Sequence, residues 1–160
     1  MAVTAYFYAE FFVNCFVGNI GDLTGAGNTG VTLHTSTYTP NQDTDNDGAD
    51  ATNEVAEANG YLQGFDGTGE VLITPTVSNT LNVINWDAAD PQWTATGAGI
   101  TARTMVLSDV TTAVAATDPL IWFSDFDGTD ETASGGGTFT YTFGSQIGTI
   151  TPADATGFPA

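Results

Sequence analysis

The chain has 160 residues, 41% of them apolar, enough for one domain with its own core and too many for an intrinsically disordered tail. Its net charge of −18 arises from 19 carboxylates and a single cationic side chain, and only 12% of residues are charged against a usual value of about 25%. A surface this acidic is repelled by phosphate backbones and anionic headgroups, which excludes nucleic acid and membrane as partners.

Residues 3 to 17 are rich in aromatics. Phe7, Phe11 and Phe12, with Cys15 and Phe16, follow helical spacing, which predicts a short amphipathic N-terminal helix. Its apolar face would pack on the core or form a protomer interface. Cys15, the lone cysteine, rules out an intrachain disulfide and reads as a buried, inert thiol among Phe11, Phe12, Phe16 and Val17. The N-terminus lacks a positive n-region and the apolar stretch is broken by Glu10 and Asn14, so neither a signal peptide nor a membrane span is expected.

Gly18 to Gly30 is a glycine and asparagine loop without the Lys-Ser/Thr of a phosphate-binding turn. Thr29 to Tyr38 alternates Val31, Leu33, Thr35 and Thr37 against Thr32, His34, Ser36 and Tyr38, the pattern of a half-buried strand. His34, the sole histidine, reads as a polar strand position, because one imidazole cannot build a histidine-rich metal site.

The segment Asp43-Thr-Asp45-Asn-Asp47-Gly48-Ala-Asp50-Ala-Thr-Asn-Glu54 matches the calcium-loop pattern D-x-[DN]-x-[DN]-G-x5-E. Calcium wants about seven oxygens; Asp43, Asp45 and Asp47 at alternate positions could point inward while Glu54 closes the site. Its flanks are not helical: Pro40 and β-type residues precede it, and Asn59-Gly60 follows. Two uses therefore stand side by side, a calcium site and an acidic loop that caps the sheet or touches a neighbour.

From Val55 onward turn signals recur every eight to twelve residues, the cadence of a sandwich or barrel. Asn59-Gly60 and Asp66-Gly67 read as turns, and Glu70 to Val77 and Thr80 to Trp86 as strands joined at Ser78-Asn79. Between Gln92 and Asp127 come three β-type runs, the middle one, Ile100 to Leu107, apolar on both faces like a strand interior to a sheet. It holds Arg103, the only cationic side chain, which reads as a structural charge partner of one carboxylate, buried with it. Asp125 and Asp127 begin a second acidic cluster, readable as a turn, a metal site or, on one strand face, an acid and base pair. Gly135 to Gly137 is a turn, Thr138 to Phe143 and Ile147 to Ile150 are strands, and 151–160 is an extended tail. The expected fold is mainly β, a single domain over 1–150 forming an antiparallel β-sandwich or barrel-like, jelly-roll-type structure with a short N-terminal helix.

Several of these stretches together resemble a family of small virion structural proteins of tailed bacteriophages and prophages. They are Tyr38-Thr-Pro-Asn-Gln-Asp-Thr44, Asn53-Glu54-Val55, Gly60-Tyr61, Trp93 to Arg103, and Pro119-Leu-Ile to Asp125-Phe126. The resemblance covers about residues 1 to 150 by order and spacing of elements; its distinctive parts are the TPNQDT and ITAR stretches. It implies a non-enzymatic capsid decoration or cement protein on the outer capsid surface, made in the bacterial host cytoplasm. Its partner would be the major capsid protein of the same virion, and it would form a homo-oligomer, a trimer favoured by closed symmetry. Phe7, Phe11, Phe12 and Trp122 are the interface candidates, no catalytic residue is expected, and no cofactor is required, with calcium the candidate cation. Two other readings are a tail, head-to-tail or fibre-associated virion protein and a calcium-dependent carbohydrate-binding β-sandwich.

Overall fold

Thr104–Asp109 is buried at all six positions, which requires a strand with neighbours on both edges and cover on both faces. In chain order the computed structural model has β1 (Thr4–Phe7), α1 (Ala9–Val17), β2 (Thr29–His34), β3 (Val71–Ile73), β4 (Thr76–Thr80), β5 (Val83–Asp87), β6 (Gln92–Thr94), β7 (Ile100–Ala102), β8 (Thr104–Asp109), β9 (Leu120–Asp125), β10 (Glu131–Ala133), β11 (Thr138–Thr140) and β12 (Gly148–Ile150). The structure describes residues 4–64, 71–80, 83–111, 117–143 and 147–150. The turn expected at Asp66-Gly67 and the tail 151–160 lie outside them.

The main sheet has the order β1-β9-β8-β2-β3, with every described pairing antiparallel. Three smaller sheets accompany it, β12-β5-β4, β11-β6 and β10-β7. The fold is thus mainly β with antiparallel sheets and one short N-terminal helix, and the described strands show no closed barrel.

Three boundaries differ from expectation for physical reasons. β2 is buried at every position rather than half-buried, because β3 and β8 flank it and its polar members are satisfied internally. The run Ile100 to Leu107 divides at Arg103. Ala102 faces Glu131 and Thr104 faces Asp125, so the single residue Arg103 stands opposite the excursion 126–130, and β7 leaves the main sheet there. Ser78 and Asn79 lie inside β4, paired with Asn85 and Ile84, so they are not the junction between the two strands.

The N-terminal aromatics split between two elements. Phe7 ends β1 opposite Trp122, and α1 begins two residues later. Loop residues finish the helix entry: the Ala9 N–H donates to the Gln42 carbonyl at 3.0 Å and the Gln42 side-chain amide donates to the Phe7 carbonyl at 2.8 Å. Gly18, left-handed at φ 80°, closes the other end through the Asn14 carbonyl.

One continuous core joins the sheets, with Leu33, Val31, Met105, Val106 and Ile121 fully enclosed. Each such aliphatic side chain contributes about 2 kcal/mol of transfer free energy. Part of the core is aromatic, with Trp122 of β9 edge-on to Tyr141 and Trp93 of β6 edge-on to Phe139. Turns rather than strands gather its far end: the Thr96 N–H donates to the Asn59 carbonyl at 2.7 Å, and the Ala95 N–H to the Gly137 carbonyl at 2.9 Å.

Candidate functional site

The acidic loop after β2 is pinned from below. His34 is fully buried; its Nδ1 bonds the Thr52 carbonyl and its Nε2 the Thr32 hydroxyl, both at 2.9 Å. Nδ1 therefore carries the proton toward the carbonyl, and Nε2 accepts from Thr32. Burial lowers the imidazole pKa to about 4, against which the Thr52 contact works weakly. His34 is a neutral, fully buried polar position at the end of β2.

A chain of hydroxyls holds the loop's first half. Tyr38 donates to Asp45 Oδ2 at 3.0 Å and in turn accepts from Tyr8 at 2.9 Å, which ties the entry of α1 to the loop. Burial holds both phenols well above the usual tyrosine range, so both stay protonated donors. Further on, the Gly48 N–H donates to the Asp118 carbonyl and the Leu120 N–H to the Asn46 carbonyl, each at 3.0 Å, fastening the loop to the start of β9.

The carboxylates of the calcium-loop pattern are turned to their own backbone. Asp45 also accepts from the Asn41 N–H, Asp47 from Ala49 and Asp50 from Asn46, at 2.9 to 3.0 Å. Glu54 accepts from the Tyr61 hydroxyl at 2.7 Å and the Gly64 N–H at 3.0 Å. Asp43 is exposed at the rim. Among the described residues no three His, Cys, Asp or Glu side chains gather closely enough to hold a metal ion. The structure thus does not bring Asp43, Asp45, Asp47 and Glu54 together; the arrangement it builds is a braced acidic loop.

Arg103 has its carboxylate partner, but not a buried one. Its Nε lies 3.2 Å from Asp130 Oδ1, with the two side chains 22% and 45% exposed. The expectation of a buried pair is corrected: the 126–130 excursion carries Asp130 outward, where water reaches it. Asp125 ends β9 and accepts from the Gly128 N–H at 2.8 Å, while Asp127 sits in a left-handed turn at φ 57°. They are therefore not two carboxylates on one strand face.

The interface candidates separate by exposure. Trp122 and Phe11 are buried in the core, and Phe7 is half-buried. Trp122 is corrected from interface to core, because Tyr141 and Phe143 pack over its ring. Phe12 is at the surface, and Phe16, at 90% exposure, stands in solvent. Cys15 is exposed rather than buried; partial desolvation raises its thiol pKa, so it is not an activated thiolate.

Two clefts border the acidic loop. One, about 510 Å³, lies between α1 and the loop and is lined by Glu10, Asn14, Asn46 and Asp47 among others. The other, about 430 Å³, includes Tyr6, Pro40, Asp125 and Asp127. Both clefts carry carboxylates, Glu10 and Asp47 in the first and Asp125 and Asp127 in the second. No protein-family model, curated protein or solved structure matches the chain.

Proposed function

We propose that this protein is a structural, non-catalytic component of a tailed-bacteriophage virion, a decoration or cement subunit that binds the major capsid protein and stabilises the shell. The observation that carries this reading is the braced acidic loop. A segment of this length and charge, held by Tyr38, His34 and Asp118 instead of left mobile, is preorganised for a fixed macromolecular partner. The resemblance of the TPNQDT and ITAR stretches to virion proteins supports the same assignment. With one cation in the chain, charged contacts run in one direction, carboxylates here to Lys and Arg on the capsid protein. The same reading takes the main and smaller sheets as layers of a jelly-roll-type sandwich, with trimers on the outer capsid surface after synthesis in the host cytoplasm.

The test is to compare complete particles with particles lacking the protein. Depleted particles release DNA at a lower temperature, and raising salt strips the protein from complete ones. Equal release temperatures would remove the cementing role. Recovery of the protein on isolated tails instead of heads would move it to a tail or head-to-tail position.

A further inference from the structure

β10 and β11 are the two arms of one hairpin, closed by a turn at 134–137 in which the Gly137 N–H donates to the Ser134 carbonyl at 2.9 Å. The arms do not pair with each other. β10 is bonded to β7 and β11 to β6, and among the described residues each has that one neighbour. Between them lies a cleft of about 390 Å³, lined by Glu131–Ala133 on one side and by 138–142 on the other. Consecutive residues line a strand's edge, whereas alternate residues would line its face. The cleft is therefore bounded by two open strand edges.

Hydrogen-bond alternation fixes what the β11 edge offers. The Gly137 carbonyl accepts from the Ala95 N–H at 2.9 Å, and the Tyr141 N–H donates to the Pro91 carbonyl at 3.2 Å. Residues 137 and 141 thus face β6, as does Phe139 midway between them, opposite Trp93. Thr138 and Thr140 consequently turn their N–H and C=O groups away from β6 and into the cleft. Its floor is apolar, because the buried Phe126 ring lines it, stacked on Tyr141 at 5.7 Å. Carboxylates stand at the end away from the turn. Glu131 begins β10, and the exposed Asp90 accepts from the Phe143 N–H at 3.0 Å. The chain's one cationic side chain, Arg103, is already engaged by Asp130.

We infer that the cleft between β10 and β11 accepts an extended segment of a cationic partner polypeptide, bonded to the open edges as an added strand. An extended backbone alternates donors and acceptors at the spacing such edges present. Its inward side chains are apolar and rest on Phe126, while the outward ones are cationic and lie toward Glu131 and Asp90. A second copy of this chain brings one cation against 19 carboxylates, so charge selects a different protein. The inference goes beyond the virion reading and stands without it, since any basic polypeptide with such a segment meets the requirement.

The probe is a synthetic nonapeptide alternating valine and lysine, blocked at both ends and titrated to about 1 mM into the full chain at physiological salt. Amide hydrogen exchange followed by NMR slows at Thr138 and Thr140 by about tenfold or more in the complex. The same peptide N-methylated at alternate residues keeps its charge and side chains but loses the donors to one edge, and it binds about tenfold or more weakly. Thr140→Pro removes the outward N–H without touching a bond to β6 and has the same effect. The methylated peptide leaves the protein unaltered, which keeps the test independent of how that variant folds. No binding, equal binding by the methylated peptide, or binding that leaves exchange at Thr138 and Thr140 unchanged would overturn the inference. So would slowing at these amides that grows with protein concentration and needs no peptide, because a second copy would then be the occupant.

Discussion

Arg103 reaches across a five-residue excursion to Asp130, Nε to Oδ1 at 3.2 Å, while its backbone carbonyl accepts from the Phe126 N–H at 3.0 Å. One residue thereby anchors both ends of the segment where β9 passes from the main sheet into β10.

Because that ion pair is partly exposed, Arg103→Ala is expected to cost only about 0.5–1 kcal/mol. A double-mutant cycle with Asp130→Asn in urea melts measures it, and the coupling should shrink with added salt. A loss of about 3 kcal/mol or more would indicate a desolvated pair instead.

His34 makes stability depend on pH in a defined window. The unfolded imidazole takes up a proton below about 6.5 and the folded one only below about 4, so between these values the unfolded chain binds more protons. Stability therefore falls as the pH is lowered through that interval, by at most about 3 kcal/mol from this residue. Urea midpoints of the wild type and His34→Gln between pH 7 and pH 4 should converge as the pH drops. Parallel curves would show that the carboxylates alone account for acid sensitivity.

Tyr38→Phe removes the donor to Asp45 and the acceptor for Tyr8 in one change. The expected cost is about 1–3 kcal/mol, since the buried Tyr8 hydroxyl and the half-buried Asp45 carboxylate each lose a bond. Hydrogen exchange should accelerate in residues 39–50 before it does in β8. Unchanged protection there would mean that the contacts to Asp118 and Leu120 suffice to brace the loop.

Gly60 has φ 90°, and a Cβ at that position would run into the Thr94 carbonyl oxygen. Gly60→Ala should cost about 2–4 kcal/mol through the forced backbone and the clash. Gly136→Ala, also left-handed but open around the added methyl, should cost less. Thermal melts of the two variants give the comparison directly.

Some of this architecture was legible because a backbone requirement wrote it into the residue types. Asn59-Gly60 demanded a left-handed turn and formed one, with Tyr61 bonded back to Ala58. The apolar character of both faces of residues 104–107 announced an interior strand. Cys15 and Phe16 were misplaced for a different reason. Helical periodicity tells which side chains share a face but not how much of that face the rest of the molecule covers, and here only Phe11 is buried. Trp122 misled similarly, because a large aromatic suits a core and an interface equally well, and only what packs over it, here Tyr141 and Phe143, decides. The acidic spacing left two uses open because Asp45, Asp47 and Asp50 can satisfy their own turn's N–H groups, as they do here, a use that spacing alone does not distinguish from calcium ligation.

The antiparallel partner of the first strand is among the last to be made: Thr4 faces Asp125, and Phe7 faces Trp122. A chain emerging from the ribosome must hold its N-terminal strand in reserve until most of the polypeptide has followed. So distant a closure carries a large loop entropy, which places folding toward the milliseconds-to-seconds end of single-domain rates.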